Sequence, residues 1–360
     1  MSASTDLVAL SLLPLWRRRA IGDRLRAGHA PGQLLEALIA ERPHDPALTL
    51  PRLRHRAATA LDRAAMVGAT TVGWSDPAYP PLLTAISDPP PVLWVQGQLL
   101  AFEPPAVAIV GSRAGSSYAL AVAERLGAEL TARGVVVVSG LARGVDSAAH
   151  RGALSAGATI AVLGSGPDVV YPREHEKLAR EIAATGLVLS ELAPGTPPRP
   201  QFFPMRNRII SGLSRAVVVV EAGERSGSLI TARSALEQGR EVLAVPGSIL
   251  SARNRGGHAL LRDGAKIVES ADDILEELGF PPDPSGHPAR IGAGSTAAGA
   301  IVADRVLACL APGESCDLDA IAERSGLAVA RLLPRLFELE LQGLVRREGG
   351  GRFVRFDRPC

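Results

Sequence analysis

VVVVSGLARGVDSAAH, residues 135–150, decides the fold. Four consecutive valines suit a strand covered on both faces, and such strands belong to parallel sheets. The run ends at once in Ser139, Gly140, Arg143, Gly144 and Asp146. In open α/β sheets, ligands lie just beyond the carboxyl ends of the strands. A lone arginine among small residues at that edge is therefore a question of ligand chemistry.

The same alternation recurs on both sides of this stretch. Strand candidates are AVAIV (106–110), VVVV (135–138), TIAVL (159–163), LVLS (187–190), VVVV (217–220), EVLAV (241–245) and AKIV (265–268). Amphipathic stretches such as 117–133, ended by Gly134, separate them. Strand, turn and helix in repetition predict an α/β fold, Rossmann-like and doubly wound on a mostly parallel sheet. Residues 1–73 are rich in Leu, Ala and Arg and predict a helical module with breaks at Gly28, Gly32 and Pro43–Pro46. The proline-dense connector from Trp74 leads to a strand at Val92–Val95 and joins the Rossmann-like domain, 74–279. Residues 280–299 carry Pro, Gly, Ser and Ala without periodicity, the composition of a flexible linker. Residues 300–360 predict helices over 301–310, 317–325 and 328–342, with Gly326 and Gly343 as breaks. A hairpin follows, turning at Gly349–Gly351, which makes a winged helix.

Composition narrows the class. The formal charge is only +2, and no run of like charge exceeds Arg17–Arg19, so any nucleic-acid surface must be gathered locally. Of the 39 basic residues only Lys177 and Lys266 are lysine. Cys309, Cys316 and Cys360 form no CxxC pair, which argues against a zinc ribbon or a disulfide framework and suits a reducing compartment. The apolar stretch 7–16 is short, and its basic cluster follows it, the reverse of a secretory signal. No apolar run reaches spanning length. The expectation is a cytoplasmic protein without membrane insertion and without a metal.

Three loops could carry chemistry. The first strand ends in Gly111–Ser112–Arg113, where glycine admits a bound group, a helix starting near Ser117 directs N–H groups, and Arg113 supplies a planar fork for phosphate. GxGxxG is missing and no acid follows the second strand, so no NAD or FAD cofactor is expected. The second loop runs from Ser139 to Gly144, with Asp146 as the cap of a helix that bears His150. A Ser139/His150/Asp146 hydrolytic site is the sharp alternative here, but the loose spacing carries little weight, and His150 is expected to be packed or hydrogen-bonded locally. The third loop, Gly223–Ser228, places Gly223, Ser226, Gly227 and Ser228 at a helix mouth with Thr231 one turn in, an anion nest. Just upstream, QFFPMRNRIISGLS (201–214) sets Arg206, Asn207 and Arg208 on one helical turn after Phe202 and Phe203. Guanidinium forks beside ring faces are what a single-stranded nucleic-acid groove requires, and one of the two rings is expected to be exposed.

In this order the segments resemble the DprA (Smf) family, the DNA-processing proteins of bacterial natural transformation. The matching pieces are AIVGSR (108–113), VVSGLARGVDSAAHRGAL (137–154), TIAVLGSG (159–166), YP (171–172), LSE (189–191), FPMRNRIISGLS (203–214), 217–247 and GGHALLRDGA (256–265). The resemblance implies a helical, SAM-like N-terminal module and a Rossmann-like domain that binds single-stranded DNA without sequence preference. It also implies a homodimer that shields incoming strands and helps to load the RecA recombinase, with no catalytic residue. Arg113 and Arg143 would be phosphate ligands. Arg173 matches a position usually basic, Phe203 with Arg206, Asn207 and Arg208 would flank the groove, and Gly227–Ser228 would form its floor. Gly111, Ser112, Gly140, Gly144 and Thr231 complete the expected DNA-binding set. The sequence departs from the family at His258, where asparagine is more usual, and similarly at His175.

Two other functions compete with this reading. Related Rossmann-like enzymes hydrolyse nucleoside monophosphates with a carboxylate in the first turn after their glycine–threonine loop; here no acid follows Ser228 until Glu237. A winged-helix regulator of double-stranded DNA would need a more basic third helix than one offering Arg331 and Arg335 beside Glu338 and Glu340. The tail is expected to be a partner or dimer-contact module.

Overall fold

The computed structural model describes residues 3–41, 48–280, 305–311, 314–341, 344–348 and 351–355 of the 360-residue chain. The expected breaks at Pro43–Pro46 and Gly343, most of the 280–299 linker, the start of the 301–310 helix, Gly349, Gly350 and Cys360 lie outside these residues. Met1–Gly115 with Val122–Phe280 form one compact unit, and Ser116–Ala121 with Pro281–Cys360 a second.

The first unit begins with four helices, α1 (Ala3–Ser11), α2 (Arg18–Arg26), α3 (Pro31–Ala40) and α4 (Leu50–Met66). Proline opens α3 and lies in the first turn of α4, positions where its missing N–H costs nothing. There follow β1 (Thr70–Gly73), α5 (Pro81–Thr84), β2 (Val92–Gly97), β3 (Ala106–Val110), α6 (Ser117–Ala132), β4 (Val136–Ser139), α7 (Val145–Leu154), β5 (Thr159–Val162), α8 (Glu176–Thr185) and β6 (Leu187–Ser190). The unit closes with α9 (Phe202–Gly212), β7 (Ala216–Val219), α10 (Ser228–Glu237), β8 (Glu241–Ala244), α11 (Arg255–Arg262), β9 (Lys266–Ile267) and α12 (Ala271–Glu277).

The strands make one nine-stranded sheet of order β1-β2-β6-β5-β4-β3-β7-β8-β9. From β6 to β9 every pairing is parallel, with Val107 opposite Val137 and Val110 opposite Val219. The β1–β2 and β2–β6 pairs are antiparallel. Chain order runs outward from β3 through β4 and β5 to β6, then restarts on the other side at β7. The carboxyl ends of β3 and β7 are thus the switch point of a doubly wound, Rossmann-like fold.

The quoted valines form their strand one residue later than expected. Val135 N–H is spent on Leu130 O as α6 closes, and Ser139 takes the last place in β4, its Oγ donating to Ile109 O at 2.6 Å. Thr70–Gly73, within the stretch expected to be helical, is the edge strand β1. On β2 the pleat divides the work. Leu93 and Val95 join the main core with Ile109's neighbours Ala108 and Val110, while Val92 and Trp94 enter a cluster with Leu10, Ile21, Leu35, Leu38 and Leu53. The N-terminal helices therefore share a core with the sheet's antiparallel end.

A buried ion cluster reinforces that join. Arg208 donates from Nε to Asp88 at 2.8 Å and from Nη2 to Glu191 at 2.6 Å. Arg18, buried in α2, donates to Leu10 O and Ser11 O and lies 3.9 Å from Glu191. Helix α2, the connector, the end of β6 and α9 meet at this point.

The second unit holds α13 (Arg305–Ala308), β10 (Ser315–Cys316), α14 (Leu318–Ser325), α15 (Val329–Leu341), β11 (Val345–Glu348) and β12 (Arg352–Arg355). Its strands pair antiparallel in the order β10-β12-β11. Asp317 caps α14 through Ala320 N at 2.8 Å, and Gly326 ends that helix at φ +67°. Ile321, Leu332, Leu336, Val345 and Phe353 build the core, with Cys316 buried among them. This is a winged helix. No helix among the described residues is long and apolar enough to cross a membrane.

Glu191 offsets two buried guanidiniums, so Glu191→Ala is expected to destabilise the first unit by about 3–5 kcal/mol. Urea denaturation checks this; a loss below about 1 kcal/mol would show that the cluster contributes nothing to the join.

Candidate functional site

A cleft of about 750 Å³ opens at the switch point. The end of β3 and its turn contribute Val110 to Ala114, the loop after β4 contributes Ala142, and the first turn of α7 contributes Asp146. Helix α9 presents Arg206, Asn207 and Ile210. The loop from β7 into α10 brings Gly223, Arg225–Ser228 and Thr231, and the segment after β8 adds Ala252 and Arg253.

Backbone bonds hold these loops together. Ser112 N donates to Glu221 O at 2.7 Å, joining the β3 turn to the end of β7, and Val145 N donates to Ser112 O at 3.2 Å. Gly144 makes the second approach possible. Its φ is +76°, and a Cβ there would collide with Ser112 O. Asp146 does not cap α7, a role that falls to Gly144; from the first turn its Oδ2 accepts the Gly140 and Ala142 amides at 3.1 and 3.4 Å. Burial raises its carboxyl pKa, while Arg206 and the two amides pull it back.

Arg206 is the charged floor of the cleft. It is buried, and Nη1 donates to Gly140 O at 2.5 Å and to Val162 O. Desolvation lowers its pKa to about 10, which leaves it protonated at neutral pH. Above it, the Arg113 guanidinium lies 5.4 Å from the centre of the Phe203 ring, and Phe203 tilts against Tyr171 at 5.5 Å. Arg225 and Arg253 are exposed at the rim, and Arg253 Nη1 reaches across to Ala114 O at 3.0 Å. At the mouth of α10, Ser226 Oγ and Ser228 Oγ lie 2.7 Å apart, and Asn207 Nδ2 donates to Gly227 O at 3.3 Å. Four guanidiniums and a helix N-terminus thus converge on one concavity, an arrangement suited to phosphate.

Of the residues singled out in the sequence, Gly111, Ser112, Arg113, Arg206, Asn207, Gly227, Ser228 and Thr231 line the cleft. Gly140 and Gly144 support it from behind, and Phe203 adjoins it through Arg113. Arg208 does not reach it. Successive residues of a helix point about 100° apart, so Arg206, Asn207 and Arg208 cannot share one surface, and Arg208 is committed to Asp88 and Glu191. Arg143 is turned outward, its fork filled by Glu174 at 2.6 and 2.8 Å, which holds the Glu174 carboxyl below its usual range. Arg173 is exposed beside that pair and is not in the lining. Phe202 and Phe203 lie in the first turn of α9 rather than upstream of it, and both are half-buried, so neither is the exposed ring expected. The helix mouth that lines the cleft is that of α10; the contribution of the first loop stops at Ala114. Arg225 and Arg253 were missed, although Arg225 belongs to the Gly223–Ser228 run. A loop arginine carries no periodicity from which its direction could be inferred.

The Ser139/His150/Asp146 alternative has no supporting geometry. Ser139 is bonded to Ile109 O and Asp146 to the two amides, while fully buried His150 bonds Thr159. Thr159 Oγ1 donates to Val137 O, so His150 Nδ1–H is the donor in the 2.8 Å contact. His175 Nδ1 donates to Leu141 O and His258 Nε2 to Gly247 O, so both family departures serve backbone carbonyls.

Fold and site together define a Rossmann-like α/β protein with an arginine-lined cleft at its switch point and a winged helix. A model of the DNA recombination-mediator protein A family matches residues 70–279, and a model of the DprA winged helix domain matches 293–351. Protein Smf of Escherichia coli is 43% identical over 289 residues, spanning 78% of this chain and 76% of its own. The X-ray structure of DNA processing protein A from Streptococcus pneumoniae superposes with a TM-score of 0.65 at 36% identity, covering 79% of this chain and 99% of that one. The Helicobacter pylori DNA processing protein A, whose structure describes a single-stranded DNA binding mode, gives 0.54 at 31% identity, covering 58% and 95%. The chain belongs to the DprA (Smf) family of DNA-processing proteins.

Burial holds the His150 pKa at about 3, against 6.5 for the free side chain. The unfolded chain gains a proton that the folded chain refuses as pH falls from about 6.5 toward 3, so stability drops across that window. At pH 5 the loss is about 2 kcal/mol relative to pH 7. Urea denaturation at the two pH values should show this decrement in the parent and not in His150→Gln.

Proposed function

We propose that the cleft binds single-stranded DNA without sequence preference and performs no chemistry on it. The observation that carries the reading is the convergence of Arg113, Arg206, Arg225 and Arg253 on the switch-point cleft, with an aromatic pair at its edge. Guanidinium forks and a helix mouth recognise phosphates whatever base follows, and ring faces accept any base. The single-stranded DNA binding mode described for the H. pylori relative supports the same reading. Arg143 and Arg173 extend the track beyond the cleft, Arg143 by exchanging Glu174 for a phosphate; Arg208 is left to its structural role. Protection of incoming strands during natural transformation, delivery to the RecA recombinase, a homodimeric state and a cytoplasmic location complete the proposal. They rest on the family resemblance.

Titration of oligo-dT at several salt concentrations tests the site. Arg113→Ala and Arg253→Ala should each reduce the slope of log affinity against log salt by about one unit and weaken all sequences alike. Phe203→Ala should cost about 1–3 kcal/mol per base released, with little change in slope. Unchanged affinity and slope in Arg113→Ala, or cleavage of a mononucleotide by a protein that ignores oligo-dT, would sink the assignment.

A further inference from the structure

The turn beside the cleft has a composition that its fold does not require. After β8 the chain passes Pro246 and Gly247 and makes a β-turn closed by Ser251 N donating to Ser248 O at 3.2 Å. Its two corner positions are Ile249 and Leu250, which are 87% and 94% exposed. Glycine, proline, asparagine, aspartate and serine dominate such corners, because each meets the backbone's needs there. Two adjacent branched aliphatics meet none of them and leave their full apolar surface in water.

The turn is also braced from behind. Ser248 Oγ accepts Leu250 N at 3.2 Å, and Asn254 Nδ2 donates to Ser248 O at 3.1 Å. His258 Nε2 donates to Gly247 O at 3.0 Å, and a Cβ on Gly247 would collide with Asn254. Ser251 Oγ accepts Arg253 N at 3.3 Å, which fixes the cleft-lining Arg253 to the same turn. The turn that carries the two aliphatics is therefore held in place, three and four residues before a guanidinium that lines the cleft.

We propose that Ile249 and Leu250 form an apolar platform for the bases of a single strand whose phosphates occupy the cleft. This inference rests on the reading of the cleft as a single-strand site. The argument for that occupant is continuity. The turn leads directly into Ala252 and Arg253, which line the cleft, so a strand held by Arg253 lies next to the turn that presents Ile249 and Leu250. Unpaired bases offer flat apolar faces there, whereas a duplex keeps its base faces stacked inside and offers only phosphate and groove edges. The platform thus discriminates single strands from duplexes, which the guanidiniums alone cannot do. It also explains the substitution of aliphatics for turn-forming residues: affinity requires the exposure.

The test compares the parent with the Ile249→Ser/Leu250→Ser double variant, whose exposed positions leave the core untouched, against oligo-dT, an abasic oligomer of equal length and a duplex. The parent should bind oligo-dT roughly 5- to 30-fold more tightly than the double variant does, with the same salt slope, since no phosphate contact is lost. The variant should keep only the base contribution of the Phe203 ring and should bind the abasic oligomer as the parent does. Equal affinity of parent and variant for oligo-dT overturns the platform while leaving the cleft assignment standing. Failure of the parent itself to bind oligo-dT overturns the cleft assignment. A change in sedimentation mass of the variant, with oligo-dT affinity unchanged, would reassign the turn to a contact between copies and also overturns the platform.

Discussion

One buried guanidinium organises the carboxyl edge of the sheet. From α9, Arg206 reaches beneath the loops after β4 and β5 and donates to the carbonyls of Gly140 and Val162. An arginine this far from water is tolerated only when its donors are met and its charge is offset. The carbonyls do the first, and Asp146, pinned by the amides of Gly140 and Ala142, does the second. The loop after β4 is thereby shaped around Arg206, and Gly140 has to be glycine because any Cβ would meet the guanidinium. The β3 turn rests in its turn on that loop through Ser112 and Gly144. Remove the buried charge and two of the cleft's walls, the β3 turn and the loop after β4, lose what sets their distance.

Helix α9 works in two directions at once. Arg206 and Asn207 look toward the cleft, while Arg208, one step further round, anchors the ion cluster with Asp88, Glu191 and Arg18. The same short segment therefore positions the ligand-binding floor and ties the N-terminal helices to the sheet. The N-terminal helices contribute no lining residue, but through the β2 face and this cluster they brace the antiparallel end of a sheet whose central strands carry the site.

The parts of this architecture that depend on period and on small-residue turns were legible from the residues. Seven apolar runs located β3 to β9 to within a residue or two, because the strands from β3 to β8, buried along most of their length, need continuous apolar side chains. The Gly111–Arg113 and Gly223–Ser228 loops were legible because glycine and hydroxyl residues at a strand end have few other uses. Strands β1 and β10 escaped, being four and two residues long without an apolar run of their own. Direction was the harder matter. Arg208 looked like a ligand since nothing local shows that its partners are Asp88 and Glu191, and Arg143 gave no hint that Glu174 fills its fork. Arg225 and Arg253 escaped for the converse reason: tertiary placement alone turns them toward the cleft.

Every cation that lines the cleft among the described residues is an arginine, and neither of the chain's lysines, Lys177 and Lys266, belongs to it. A guanidinium keeps its proton throughout the neutral range, buried Arg206 included, and it is not a substrate for acetylation. The proposed grip on a polyanion is consequently insulated from cellular acidity and from the acyl-donor supply that silences lysine-based surfaces. On that reading, control over release falls to competing anions or to another macromolecule, not to neutralising the protein's own charge.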